Sequence, residues 1–160
     1  MAQNIALHVN GGAVSVAAED TTPLLDVLRN QLDLKGTRYG CGLEQCGSCM
    51  VLLDGEPVYA CSREIGTVAG RSVMTIEGIG SAARPHPLQK AFLDEQAGQC
   101  GYCLSGILMS AKALLDRNAA PTRADIVTAL DRHLCRCGAH LRILRAVERA
   151  AAELRGGNGS

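Results

Sequence analysis

The chain has 160 residues, with sixteen Lys and Arg balanced by sixteen Asp and Glu, one Phe, three Tyr and no Trp. No basic stretch is interleaved with aromatics, which excludes a nucleic-acid footprint, and platforms for stacking bases or sugars are scarce. What remains conspicuous is a set of eight cysteines in so short a chain.

The first nine residues carry no basic n-region, apolar h-region or twin-arginine pair, so a cytoplasmic origin is expected, with membrane association only through a partner. No segment approaches the roughly 20 apolar residues of a bilayer span. The nearest, 106–115, is interrupted by Lys112. Residues 5–9 and 13–17 alternate apolar and polar around Asn10-Gly11-Gly12, predicting an opening β-hairpin. Thr22 reads as an N-cap with Pro23 at the first helical position, and Leu24, Leu25, Val27, Leu28 and Leu32 repeat at helical spacing up to Gly36. A loop crowded with glycine and cysteine covers 36–49. A second hairpin is predicted over 50–53 and 57–61 around Asp54-Gly55, and a last strand over 71–76.

Beyond a small, basic, proline-bearing stretch the period becomes helical, at 87–97, 104–117, 122–133 and 141–154, with Thr122 and Asp125 set as a capping box. The pattern predicts an α+β chain: a mixed sheet-and-helix domain over 1–80, a linker over 81–86, a four-helix domain over 87–155 and a disordered tail over 156–160. Neither half is large enough to bury more than a modest core, so a cofactor or partner surface is expected to contribute stability.

In a reducing compartment the cysteines point to metal or redox chemistry rather than to a disulfide scaffold. Cys41, Cys46, Cys49 and Cys61 have the spacing C-x4-C-x2-C-x11-C, whose first three members match plant-type [2Fe–2S] ligation. Gly40, Gly42 and Gly47 let that loop bend tightly and aim N–H groups at sulfur, which favours the more negative reduced state. Cys100, Cys103, Cys135 and Cys137 follow C-x2-C-x31-C-x1-C, where two helix ends meet. Taken alone, the second quartet leaves zinc open. Arg136 and the N-terminal end of the helix at Leu104 would offset part of its thiolate charge.

The segments Tyr39-Gly40-Cys41-Gly42-Leu43-Glu44-Gln45-Cys46-Gly47-Ser48-Cys49, Gln99-Cys100-Gly101-Tyr102-Cys103 and Leu134-Cys135-Arg136-Cys137-Gly138 strongly resemble the small subunit of the xanthine oxidase family of molybdenum hydroxylases. The likeness spans nearly the whole chain and leans toward small subunits of nicotinate dehydrogenase and isoquinoline oxidoreductase type. It implies a ferredoxin-like β-grasp domain followed by a helical [2Fe–2S]-binding domain. It further implies that Cys100, Cys103, Cys135 and Cys137 bind the cluster proximal to a large subunit's molybdopterin, held as its cytosine dinucleotide, and that Cys41, Cys46, Cys49 and Cys61 bind the distal one. Cys137 and Gln99 fall at positions that contact the pterin in that family. The chain then carries electrons from a partner's molybdenum site to a flavin, a cytochrome c or a soluble carrier. By resemblance the substrate of the whole enzyme is an N-heteroaromatic such as nicotinate, hydroxylated with oxygen from water, with an aldehyde as the alternative.

One departure from the family stands out. Its loop reads Cys-Gly-x-Gly-x-Cys, and Glu44 replaces the second glycine. If that position needs positive φ, a non-glycine costs on the order of 1 kcal/mol, and an ionised carboxylate there should lower the potential of the distal centre. Met50, where the family more often has threonine, reads as strand packing. His8, His86, His133 and His140 share no spacing and read as surface or capping residues. Short acidic pairs such as Glu19-Asp20 and Asp94-Glu95 read as solvated faces, and no catalytic residue is expected in this chain. A stand-alone ferredoxin would leave the helical half unexplained, and a zinc-stapled interaction module would leave the first cysteine spacing unused.

Overall fold

The computed structural model describes residues 1–157. Strands β1 (Gln3–Val9) and β2 (Gly12–Ala18) pair antiparallel from Gln3–Ala18 to Val9–Gly12. Asn10 and Gly11 turn the chain at φ +51° and +83°, as alternation around an Asn-Gly pair predicts. A second hairpin joins β3 (Met50–Leu53) to β4 (Glu56–Tyr59). Strand β5 (Ser72–Met74) lies between the hairpins, parallel to β1 and antiparallel to β3, giving the order β2-β1-β5-β3-β4. With the helix that crosses it, this mixed sheet is the ferredoxin-like β-grasp that the family resemblance implied.

That helix does not begin as the sequence predicts. Helix α1 covers Leu24–Asp26 and passes into a π-helical turn over Val27–Gln31, closed by Leu32 N donating to Val27 O at 3.1 Å. Thr22 is not its N-cap, since Pro23 is still extended and bridges Glu64. The reason lies in the competing backbone bonds: Leu24 N donates to Arg63 O at 2.7 Å and Ile65 N to Thr22 O at 2.8 Å. These satisfy the groups that a cap would otherwise serve.

Helices α2 (Pro87–Asp94), α3 (Leu104–Arg117), α4 (Arg123–Leu130) and α5 (His140–Gly157) complete the described residues. The predicted Thr122–Asp125 box is present, with Thr122 Oγ1 accepting from Asp125 N at 3.2 Å and Asp125 Oδ2 accepting from Thr122 N at 2.8 Å. His86 and Gln89 form a second box at the start of α2. Helix α5 runs through Gly156 and Gly157, and the rest of the expected tail, 158–160, lies outside the described residues. Among the described residues no helix is long and apolar enough to cross a membrane.

All four residues of β3 are buried, because the strand is covered on both faces. Val51 and Leu53 face a core with Ile5, Leu7, Leu24, Leu25 and Leu28. Met50 and Leu52 face a second core with Leu88, Ile107, Met109, Ile143 and Val147. Met50 is therefore strand packing, and α3 is the element laid across the sheet's outer face.

Candidate metal centres

The eight cysteines are free thiols gathered at two places, each built from two chain segments. In the first, Cys41, Cys46 and Cys49 lie in the loop entering β3, and Cys61 follows β4. The β3–β4 hairpin sets their spacing: Met50 pairs with Tyr59, and Ala60 N donates to Cys49 O at 3.2 Å. The loop takes left-handed φ at Gly42 (+68°), Glu44 (+57°) and Gly47 (+76°), which turns successive amides inward. Leu43 N and Gln45 N each donate to Cys41 Sγ at 3.3 Å, and Cys41 N donates to Cys46 Sγ at 3.3 Å. Gly40 is required by close approach, as a Cβ there would lie 2.6 Å from Cys46 Sγ.

Of the expectation for Glu44, the backbone part is met: the position has positive φ, and its carboxylate lies beside the residue that follows Cys61. Its Oε1 accepts the Ser62 hydroxyl hydrogen bond, strapping the Cys41–Cys46 loop to the residue after Cys61.

In the second place, Cys103 is the N-cap residue of α3, Cys100 precedes it through a turn at Gly101 (φ +75°), and Cys135 and Cys137 lie in the turn between α4 and α5. The positive end of α3 thus faces this quartet. Arg136 and Gln99 are both exposed, with Gln99 beside Cys100 on the wall of an open cleft.

The thiols of both quartets associate in twos, Cys41 with Cys46, Cys49 with Cys61, Cys100 with Cys137 and Cys103 with Cys135. One inner thiol in each is buried: desolvation pushes Cys49 and Cys103 up to about 12, with the neighbouring Cys61 and Cys135 side chains adding to the rise. Cys41 and Cys100 go the other way. Burial raises Cys41, but the amides of Leu43, Gln45 and Cys46 outweigh it and bring it down to about 7. The Tyr102 amide, followed by the Cys137 side chain, lowers Cys100. Two pairs per site suit a two-iron centre, in which each iron takes two protein ligands.

Three buried polar side-chain atoms lack a hydrogen-bond partner among the described residues: Thr37 Oγ1, Ser105 Oγ and His133 Nδ1. Each belongs to a segment leading into or out of a quartet: Thr37 precedes Cys41, Ser105 follows Cys103 and His133 precedes Cys135.

The quartets are not separate. Leu134 N donates to Cys46 O at 3.1 Å, Arg38 Nη1 donates to Gly101 O at 3.3 Å, and the Tyr102 hydroxyl donates to Tyr39 O. Arg38 also stacks 5.2 Å from the Tyr102 ring centre. Sequence reasoning missed this seam, and it misread His133 as a surface or capping residue. The ring is only 5% exposed, and burial lowers its pKa to about 4, so it is neutral. Gly106, an isolated glycine inside an apolar helix, was the available signal of a close backbone approach.

Residues 7–71 match the family described as a 2Fe-2S iron-sulfur cluster binding domain, and 75–148 match that described as a [2Fe-2S] binding domain. Over 151 residues the chain is 54% identical to one of the subunits of nicotinate dehydrogenase from Pseudomonas putida, covering 94% of this chain and 96% of that one. It is 47% identical to the alpha subunit of isoquinoline 1-oxidoreductase of Brevundimonas diminuta, covering 93% and 98%. Among solved structures, quinoline 2-oxidoreductase from Pseudomonas putida superposes with a TM-score of 0.92 at 33% identity, covering 98% of each chain. The aldehyde oxidoreductase of Desulfovibrio desulfuricans gives 0.93 at 45% identity, and there the chain matches 17% of a much longer polypeptide.

Proposed function

This chain belongs to the small iron–sulfur subunits of the xanthine oxidase family of molybdenum hydroxylases, and from that membership we propose that it relays electrons from a molybdopterin-bearing large subunit to an external acceptor. Cys100, Cys103, Cys135 and Cys137 hold the centre nearer the molybdenum site, and Cys41, Cys46, Cys49 and Cys61 hold the outer one. When bound, two [2Fe–2S] clusters supply the one-electron steps that divide a two-electron oxidation.

The observation that carries this reading is the Leu134 N to Cys46 O hydrogen bond. Leu134 precedes Cys135, so a single hydrogen bond joins the backbone beside one quartet to a ligand-bearing residue of the other. The partner's side is indicated by the exposed apolar residues flanking the second quartet, Leu93, Tyr102, Leu134 and Leu141. Gln99 and Cys137 stand at the same end and would meet the pterin. Gly40, Gly42 and Gly47 shape the outer loop, and the amides of Cys41, Leu43 and Gln45, aimed at sulfur, favour the reduced and more negative state of that site. Glu44 opposes it. Glu44→Gly is therefore expected to raise the outer potential while relieving on the order of 1 kcal/mol of backbone strain. Redox titration followed by electron paramagnetic resonance reads the shift, and an unmoved outer potential would refute it.

The substrate is chosen in the partner. Relatives at 54% and 47% identity are named for nicotinate and isoquinoline, which favours an N-heteroaromatic hydroxylated with oxygen from water. The second reading is an aldehyde, supported by the aldehyde oxidoreductase of Megalodesulfovibrio gigas at 43% identity, of which this chain covers 17%. A flavin or cytochrome c subunit is the proposed acceptor. The complex purified anaerobically should contain about four irons per copy of this chain and lose its red-brown absorption when nicotinate is added. Zinc in place of iron would overturn the relay, and bleaching by aldehydes alone would overturn the substrate.

A further inference from the structure

Gly47 belongs to the first quartet's loop, between Cys46 and Ser48, yet residues of the other half enclose it. On one side α3 passes so closely that a Cβ on Gly106 would lie 1.9 Å from the Gly47 carbonyl oxygen, where ordinary contact begins near 3.4 Å. On the other side a Cβ on Gly47 would lie 2.2 Å from His133 Nδ1 and 2.8 Å from Arg132 O. The two walls are tied to each other, because His133 Nε2 lies 2.7 Å from Ser110 Oγ, one turn beyond Gly106 on α3. Among the described residues Nδ1 has no hydrogen-bond partner, so what the ring presents to Gly47 is shape.

We propose that this slot sets the spacing and relative orientation of the two quartets, with Gly106 and His133 as positioning residues for electron passage between them. The inference rests on the two-centre reading above. Its physical basis is that a close-packed contact transmits displacement instead of absorbing it. Cys46 adjoins Gly47, Cys103 caps the helix that carries Gly106, and Cys135 lies two residues past His133. A methyl at Gly106 must push either the Cys46 loop or the start of α3, and both movements change the distance between ligand sets. Loss of the His133 ring removes a wall and leaves the Cys46 loop free to take several positions.

The test uses the full chain purified with its partner and reduced by dithionite until both centres carry an unpaired electron. Magnetic coupling between them, seen as splitting of the resonance lines, falls steeply with separation. Gly106→Ala should keep about four irons per chain while narrowing the splitting and slowing reoxidation of the inner centre through the outer one. His133→Ala should broaden the splitting into a distribution, and His133→Phe, which keeps a ring in the slot, should restore most of its sharpness. Where Gly106→Ala does not fold, the histidine pair carries the test. An iron-replete Gly106→Ala or His133→Ala protein with native splitting and transfer rate would overturn the slot. Loss of a single cluster from His133→Ala would also overturn it, by showing a role in site assembly. A native protein without iron would instead sink the two-centre reading.

Discussion

Cys49→Ser and Cys103→Ser are each expected to yield a chain with about two irons in place of about four, and each to abolish electron delivery to the acceptor. These are the buried members of their quartets, pushed up to about 12 as free thiols by desolvation. Only a bound metal cation keeps such a sulfur deprotonated, and serine gives up the thiolate on which binding depends. Because the centres stand in series, losing either one should reduce substrate-driven acceptor turnover to background. Metal analysis and electron paramagnetic resonance separate the two cases: Cys49→Ser should lose the outer signal and keep the inner, and Cys103→Ser the reverse. If either substitution removed both signals in a folded chain, the eight cysteines would not act as two independent quartets.

Gly40→Ala is expected to remove the outer centre while sparing the inner one. The added Cβ would sit 2.6 Å from Cys46 Sγ and 3.3 Å from Ser48 Oγ. Displacing that sulfur also breaks its hydrogen bond from Cys41 N, so the geometry of one ligand pair is lost. Gly42→Ala supplies the contrast. Its Cβ would press on the Tyr39 hydroxyl, 2.4 Å away at the end of an exposed side chain that can swing aside. That variant should keep its iron and cost on the order of 1 kcal/mol for the left-handed φ. Equal iron loss from both would show that the whole loop, not the approach at Gly40, limits assembly.

Most of the fold was legible because its signals are local. Asn10-Gly11 marked the first turn, a shift from alternating to helical spacing marked the change of architecture, and Thr122 with Asp125 marked the start of α4. The cysteine spacings and the glycines beside them pointed to both candidate centres for the same reason. Thr22 failed as a cap because the bonds that replaced it come from Arg63 and Ile65, some forty residues away. The seam between the quartets was hidden for a related reason. Nothing near His133 in sequence announces that its ring will lie between Gly47 and Ser110, since that contact exists only after α3 has crossed the sheet. Glu44 lies between the two cases: the motif exposed it as an exception, but only the folded chain reveals Ser62 as its anchor.

Strand β3 carries a practical consequence for protein engineering. Since Met50 and Leu52 complete their core only against the helical half, trimming the chain after residue 80 to obtain a miniature electron shuttle would leave an oily stripe facing water. Such a fragment would invite self-association, and a usable one would need that stripe rewritten with polar side chains.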